Sequence, residues 1–192
     1  MKLYLILKNI TLSLLLLLTT SIVNADELSG HIGGFLGVKA LKSSDWPDLD
    51  IHNSLGIIFD IKKDAWPISI ALDVIDTGGK HKHGGLEDLG HSTEFHLGVR
   101  KIFMNPHSKV LPYIGGGVSF ISAEMELQVI NSTTTQDDSD VGVWVGAGMY
   151  YEINPEFVLG FDARYSQGEV TLFNKERDAG GIFAGATVGY QF

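Results

Sequence analysis

The chain has 192 residues, 44% of them hydrophobic and 19% charged, with a formal net charge of −9 and no cysteine. That length holds one domain with a sizeable core. The acidic balance argues against a nucleic-acid partner, and the lack of cysteine excludes disulfides, thiolate metal sites and lipid anchors on sulfur.

Taken in chain order, Lys2 and Lys8 precede an apolar stretch, residues 10–18, and a small-residue site, Val23-Asn24-Ala25. This is the layout of a secretory signal peptide, too short and too poorly flanked for a spanning helix. Cleavage is expected after Ala25, with residues 1–25 as the signal and 26–192 as one mature domain. The mature part loses two lysines and no acid, so its charge moves to −11. Such acidity suits loops facing the divalent cations of lipopolysaccharide.

Beyond the signal, period-two alternation recurs between turn-rich segments, which predicts an all-β domain. Eight strands are expected, at about 30–41, 51–61, 67–75, 92–103, 110–123, 141–153, 157–166 and 182–192. The sixth is the clearest: Val141, Val143, Val145, Ala147, Met149, Tyr151 and Ile153 share one face, and Gly142, Trp144, Gly146, Gly148, Tyr150 and Glu152 the other. The links at 62–66, 104–109 and 154–156 are tight. Those at 76–90, 124–140 and 168–179 are longer and more polar, with 42–50 the shortest of that set. Short turns at one end and long loops at the other predict an eight-stranded antiparallel up-and-down transmembrane β-barrel with both termini on the periplasmic side.

Alternation alone does not say which face is inside, because a soluble barrel has the same period. The polar face decides it. It is rich in glycine, which suits a crowded interior, and it carries Lys39, Asp60, Asp73, Glu94, His96, Arg100, Glu152, Asp162 and Arg164. Ions of both signs in a narrow lumen must pair, so the barrel is expected to be filled and closed. Tyr113, Phe120, Tyr150, Tyr151, Phe157, Tyr165, Tyr190 and Phe192 lie towards strand ends, where an aromatic girdle is expected at the headgroups.

The final strand, Gly189-Tyr190-Gln191-Phe192, resembles the C-terminal signature by which outer-membrane barrel assembly machinery recognises its substrates, with Tyr190 and Phe192 as the assembly signal. Leu111-Pro112-Tyr113-Ile114-Gly115-Gly116-Gly117-Val118 resembles the Pro-Tyr-x-Gly-x-Gly strand of the OmpA-like and opacity-type outer-membrane β-barrel superfamily. The stretch from Tyr151-Glu152-Ile153-Asn154-Pro155-Glu156-Phe157 to Tyr165-Ser166 looks like that family's penultimate hairpin. The resemblance implies a monomer in the bacterial outer membrane among lipids and lipopolysaccharide. It leaves chemistry open, since family members include structural barrels, adhesins, small pores and lipid-modifying enzymes.

The candidate chemistry is weak. His81, His83 and His91, with Glu87 and Asp88 between them, have metal-ligating side chains but no compact spacing. His91, Ser92 and Glu94 contain the types of a hydrolytic trio, yet on a strand His91 points away from the other two. Asn131-Ser132-Thr133 reads as a polar loop, and no helix follows Gly115-Gly116-Gly117 to make a phosphate cradle. The expected function is therefore that of a non-enzymatic barrel, with no cofactor or metal, whose external loops contact lipopolysaccharide, host surfaces or other ligands. The alternatives are a lipid A-modifying deacylase or acyltransferase and a narrow passive pore.

Overall fold

A computed structural model describes residues 28–192 apart from 47–48, 84–85 and 130–131, so the expected signal peptide lies outside the described residues. In chain order the strands are β1 (Leu28–Ala40), β2 (Ile51–Lys63), β3 (Ser69–His83), β4 (Leu86–Ile102), β5 (Val110–Val129), β6 (Ser132–Glu152), β7 (Phe157–Gln167), β8 (Glu169–Leu172), β9 (Lys175–Asp178) and β10 (Gly181–Gln191). Eight of them close into a barrel in the order β1-β10-β7-β6-β5-β4-β3-β2, and β8 and β9 form a separate hairpin. Every neighbouring pair is antiparallel.

The register fixes the barrel's shape. From Asn53, paired residues run through Gly78, His91 and Glu124 to Asp137 on β6, and in the other direction through Val38, Ala184 and Ala163 to Ala147 on the same strand. Closure therefore carries a shift of ten residues, which for eight strands implies a tilt of about 40° and a backbone radius of roughly 8 Å. Each residue then climbs roughly 2.5 Å along the axis, so an apolar band about 25 Å tall needs about ten residues per strand. The strands β7 and β10, at 11 residues each, barely exceed that length, whereas β5 and β6 have 20 and 21.

The apolar side chains face outward. Leu36, Val143 and Val188 are 68%, 56% and 58% exposed, while Lys39 and Glu94 are 0% exposed within the barrel. A soluble protein does not bury its ions and bare its leucines; a barrel in lipid does, because the surrounding medium is hydrocarbon. At one end the outward face turns polar at Asn53, Asp76, Thr93, Ser122, Ser139 and Gln167. Two expectations are corrected here. The segments 76–90 and 124–140 are mostly not loops but continuations of β3–β4 and β5–β6, which stay paired far beyond the band. The segment 168–179 likewise contains β8 and β9. Polar sequence hid these strands, because above the bilayer both faces of a strand are solvated or covered by other protein and alternation fades. The turn at the other end is local chemistry: Asn154 Oδ1 accepts from Glu156 N and Phe157 N, both at 2.9 Å.

Inward glycines make room where neighbouring walls approach. Gly98 and Gly117 are register partners, and a Cβ on Gly117 would lie 2.1 Å from Leu97 O and 2.5 Å from Gly98 Cα. Overpacking of this kind costs about 1–3 kcal/mol or more when backbone must move. Gly117→Val should therefore lower the urea midpoint at which the unheated protein loses its folded band on a denaturing gel. Gly34→Ala, whose Cβ meets nothing within 4 Å, should leave it unchanged.

Candidate functional site

A continuous chain of hydrogen bonds crosses the lumen. Near the termini, His31 Nδ1 lies 3.1 Å from Asp60 Oδ1, and Asp60 Oδ2 accepts from Arg100 Nη1 at 3.0 Å. Asp73 Oδ2 then joins two guanidiniums, Arg100 Nη2 at 2.9 Å and Arg164 Nη1 at 2.7 Å. Arg164 Nε donates to Asp162 Oδ1 at 2.6 Å, and the Tyr113 hydroxyl to Asp162 Oδ2 at 2.6 Å. The path continues from Arg164 Nη1 to His96 Nδ1 at 3.2 Å, from His96 Nε2 to Glu94 Oε2 at 2.8 Å, and from Lys39 Nζ to Glu94 Oε1 at 2.6 Å. Lys39 also donates to Ala179 O at 2.6 Å.

Donor and acceptor chemistry assigns the histidines. Arginine can only donate, so His96 Nδ1 accepts, its proton sits on Nε2, and the ring is neutral. Gln191 Nε2 faces two acceptors, Glu152 Oε1 and Pro155 O, so its Oε1 is what meets His31 Nε2 at 3.3 Å. Both nitrogens of His31 then face acceptors, Asp60 Oδ1 and Gln191 Oε1. The chain thus sets three permanently charged cations, Lys39, Arg100 and Arg164, among four carboxylates, Asp60, Asp73, Glu94 and Asp162, with His31 and His96 completing the path. Aromatic faces fill the remaining space: Arg164 lies 5.6 Å from the Trp144 ring and 5.9 Å from Phe35, and Arg100 lies 5.0 Å from Tyr113.

Tyr113 and Tyr150, expected in the outer girdle, are instead 2% and 3% exposed inside the barrel, stacked at 4.7 Å. Strand parity was the signal that places them: each is an even number of residues from the inward glycines of its own strand. The same parity places His31, which the sequence reading missed, alongside Gly33 and Lys39. Glu152 lies at the end of β6, where it accepts from Gln191. Phe120, Tyr151, Phe157, Tyr165, Tyr190 and Phe192 do face outward.

An apolar plug sits at the far mouth. Leu41, Trp46, Leu49, Ile121, Ala123, Met125, Val170, Leu172 and Ala179 form one buried cluster. The link from β1 to β2 and the β8–β9 hairpin are tied together there. Trp46 Nε1 donates to Asp178 O at 2.7 Å, and Arg177 donates to Asp45 O while its guanidinium covers Trp46. On β6, three alternate side chains act as a rail for β8. Asp140 accepts from Glu169 N at 2.8 Å, Asp138 from Thr171 N at 2.7 Å, and Gln136 from Phe173 N. The β8–β9 turn has positive φ at Phe173 and Asn174, 54° and 58°, which asparagine adopts readily and phenylalanine only under constraint; Phe173 packs on the plug.

Outside, the candidate metal residues are split. His91 is on the outer face, with Nε2 2.9 Å from Asp76 Oδ1, whereas His81 pairs with Asp88 in the row that continues the inward face. The side chains of His83 and Glu87, and the whole of Asn131, lie outside the described residues. No group of three or more metal-ligating side chains occurs among the described residues. Ser92 is 4% exposed and lies 2.7 Å from Thr77 Oγ1 and 3.2 Å from Lys39 Nζ, so His91 and Ser92 are on opposite sides of the wall.

A closed sheet with a lipid-facing apolar band and ions paired inside defines an integral outer-membrane β-barrel. The chain belongs to the outer membrane protein beta-barrel domain family, whose profile matches residues 10–192. No curated protein matches the sequence. Among solved structures it is similar to Neisserial surface protein A (17% identity, 85% of this chain and 95% of that one, TM-score 0.55). It also resembles Ail of Yersinia pestis, solved in complex with the heparin analogue sucrose octasulfate (15%, 86% and 99%, 0.56), and OprG of Pseudomonas aeruginosa (16%, 86% and 96%, 0.56). At these identities the likeness speaks for the fold. The protein resides in the bacterial outer membrane.

Two outcomes are expected. Asp73→Asn leaves two buried guanidiniums facing each other without their shared carboxylate, which should cost about 3–5 kcal/mol of stability, read from the urea dependence of the gel shift. The hydrogen bond from His91 to Asp76, aided by the charges of Asp76 and Glu124, raises the His91 pKa against the opposing effect of burial. That pair stabilises the hairpin at acidic pH and weakens as pH rises through the raised value. In an NMR titration, Asp76→Asn should bring the His91 midpoint down.

Proposed function

We propose that the protein is a monomeric, non-enzymatic and non-conducting surface barrel whose β3–β4 and β5–β6 hairpins form a contact face outside the cell. The observation that carries this is the combination of a lumen filled by mutually neutralising ions beneath an apolar plug with four strands that run on beyond the apolar band. The end holding the termini faces the periplasm, and the long hairpins face outward. Lys39, Asp60, Asp73, Glu94, His96, Arg100, Asp162 and Arg164 act as a structural brace. Their groups are spent on one another, which supports a scaffold role over catalysis.

The outer faces of the hairpins carry Asp76, Glu124, Glu126 and Asp137 against Lys80 and His91 among the described side chains. An acidic face of this kind favours lipopolysaccharide approached through its divalent cations, or a basic host surface, over a polyanion such as the heparin analogue bound to Ail. At the other end, Tyr190 and Phe192 are 41% and 47% exposed on the lipid side of the last strand, where the assembly machinery can read them before β10 closes on β1.

The purified protein should leave planar bilayers silent at modest voltage, and it should pass a heparin column unretained at physiological ionic strength. Lipid A from cells with and without it should have the same acylation pattern. Single-channel steps would replace this reading with a pore, and altered lipid A with an enzyme.

A further inference from the structure

The lipid-facing wall is not uniformly convex. Between β7, β10, β1 and β2 it dips into a groove of about 370 Å³ whose lining is almost wholly apolar. The floor is backbone, because Gly33 and Gly189 are register partners and the adjacent Gly34, on the outer face, has open space where a side chain would stand. Ile57 and Val188, the two register neighbours of Gly34, form the walls. The lower end is framed by Phe157 and Tyr190, whose rings meet edge to face at 5.7 Å.

We propose that this groove is a binding site for one acyl chain of a glycerophospholipid in the periplasmic leaflet. The groove is continuous with the protein's lipid interface, so its occupant comes from the membrane. Water is a poor filler, since the walls offer too few polar partners, and a void would forfeit the dispersion contacts of every wall atom. A second copy of the chain is disfavoured because a stable protein pair buries roughly 1,200 Å² or more, far beyond a trough of eight lining residues. The choice of leaflet rests on the orientation proposed above. The groove opens at the first residue of β7 and next to the chain end, so the Tyr190 hydroxyl stands at headgroup level with the groove rising from it into the hydrocarbon.

The mature protein, reconstituted in palmitoyl-oleoyl-phosphatidylglycerol vesicles and released into mild detergent, should retain one phospholipid in native mass spectrometry. Gly34→Phe, which fills the groove, should lower the retained fraction about ten-fold. Ala147→Phe, elsewhere on the outer wall, should not change it. Equal retention by Gly34→Phe, or a dimer in place of the lipid adduct, overturns the site. Displacement of the phospholipid by added lipid A overturns the assigned leaflet while leaving the barrel reading intact. A second measurement needs no variant: phosphatidylglycerol with a mid-chain nitroxide should broaden the Gly34 amide of the wild-type protein more than the Gly116 amide. Equal broadening counts against an ordered chain.

Discussion

A bilayer offers no water to a bare N–H or C=O, and this constraint organises the whole molecule. An open sheet would leave two unpaired edges in hydrocarbon, so β1 must meet β10 as well as β2. Closure with eight strands sets a narrow interior. Within it there is no bulk solvent to screen an ion, and the interior must neutralise itself. The lumen does so with a carboxylate for every cation along one connected path. Asp73 is the joint of that path, because its single Oδ2 atom receives both arginines while Oδ1 accepts from the Phe59 amide at 3.2 Å.

The two ends of the lumen are built on different physics. At the far mouth, the link between β1 and β2 and the β8–β9 hairpin supply an apolar lid held by Trp46, Asp45 and Arg177. At the near mouth, the protein leaves a cup of about 440 Å³ lined in part by His31, Asp60, Lys62 and Glu152. Among the described residues, hydrocarbon side chains therefore stand between the buried ions and the far mouth, while the polar cup lies at the near one.

Much of this was legible in the sequence, and the limits have physical causes. Parity along a strand separates lipid-facing from lumen-facing residues with one bit per position, which is why the eight barrel strands and the inward charges could be read directly. Strand length was not legible beyond the band, because the alternating signal comes from the contrast between lipid and lumen. Once β3 to β6 leave the membrane that contrast disappears, and Thr133 to Ser139 look like loop while remaining paired. Position along the axis was also invisible. Tyr113 and Tyr150 lie near strand ends as girdle residues do, but proximity to an end says nothing about inside or outside, and parity should have been given priority. Pairing partners could not be read at all, since they depend on a ten-residue stagger that only closure reveals.

The unequal strand lengths give the molecule a lopsided rim. On one half of the circumference β3, β4, β5 and β6 rise as a wall, with β5 and β6 climbing roughly 18 Å beyond Ser122 and Ser139; on the other half β7, β10, β1 and β2 stop near the headgroups. A bulky neighbour, such as a branched sugar chain or another protein, can settle close to the membrane surface beside the low half but is held at a distance by the tall one. The barrel therefore has a front and a back, and its surroundings at that membrane surface are sorted by height before any specific contact is made.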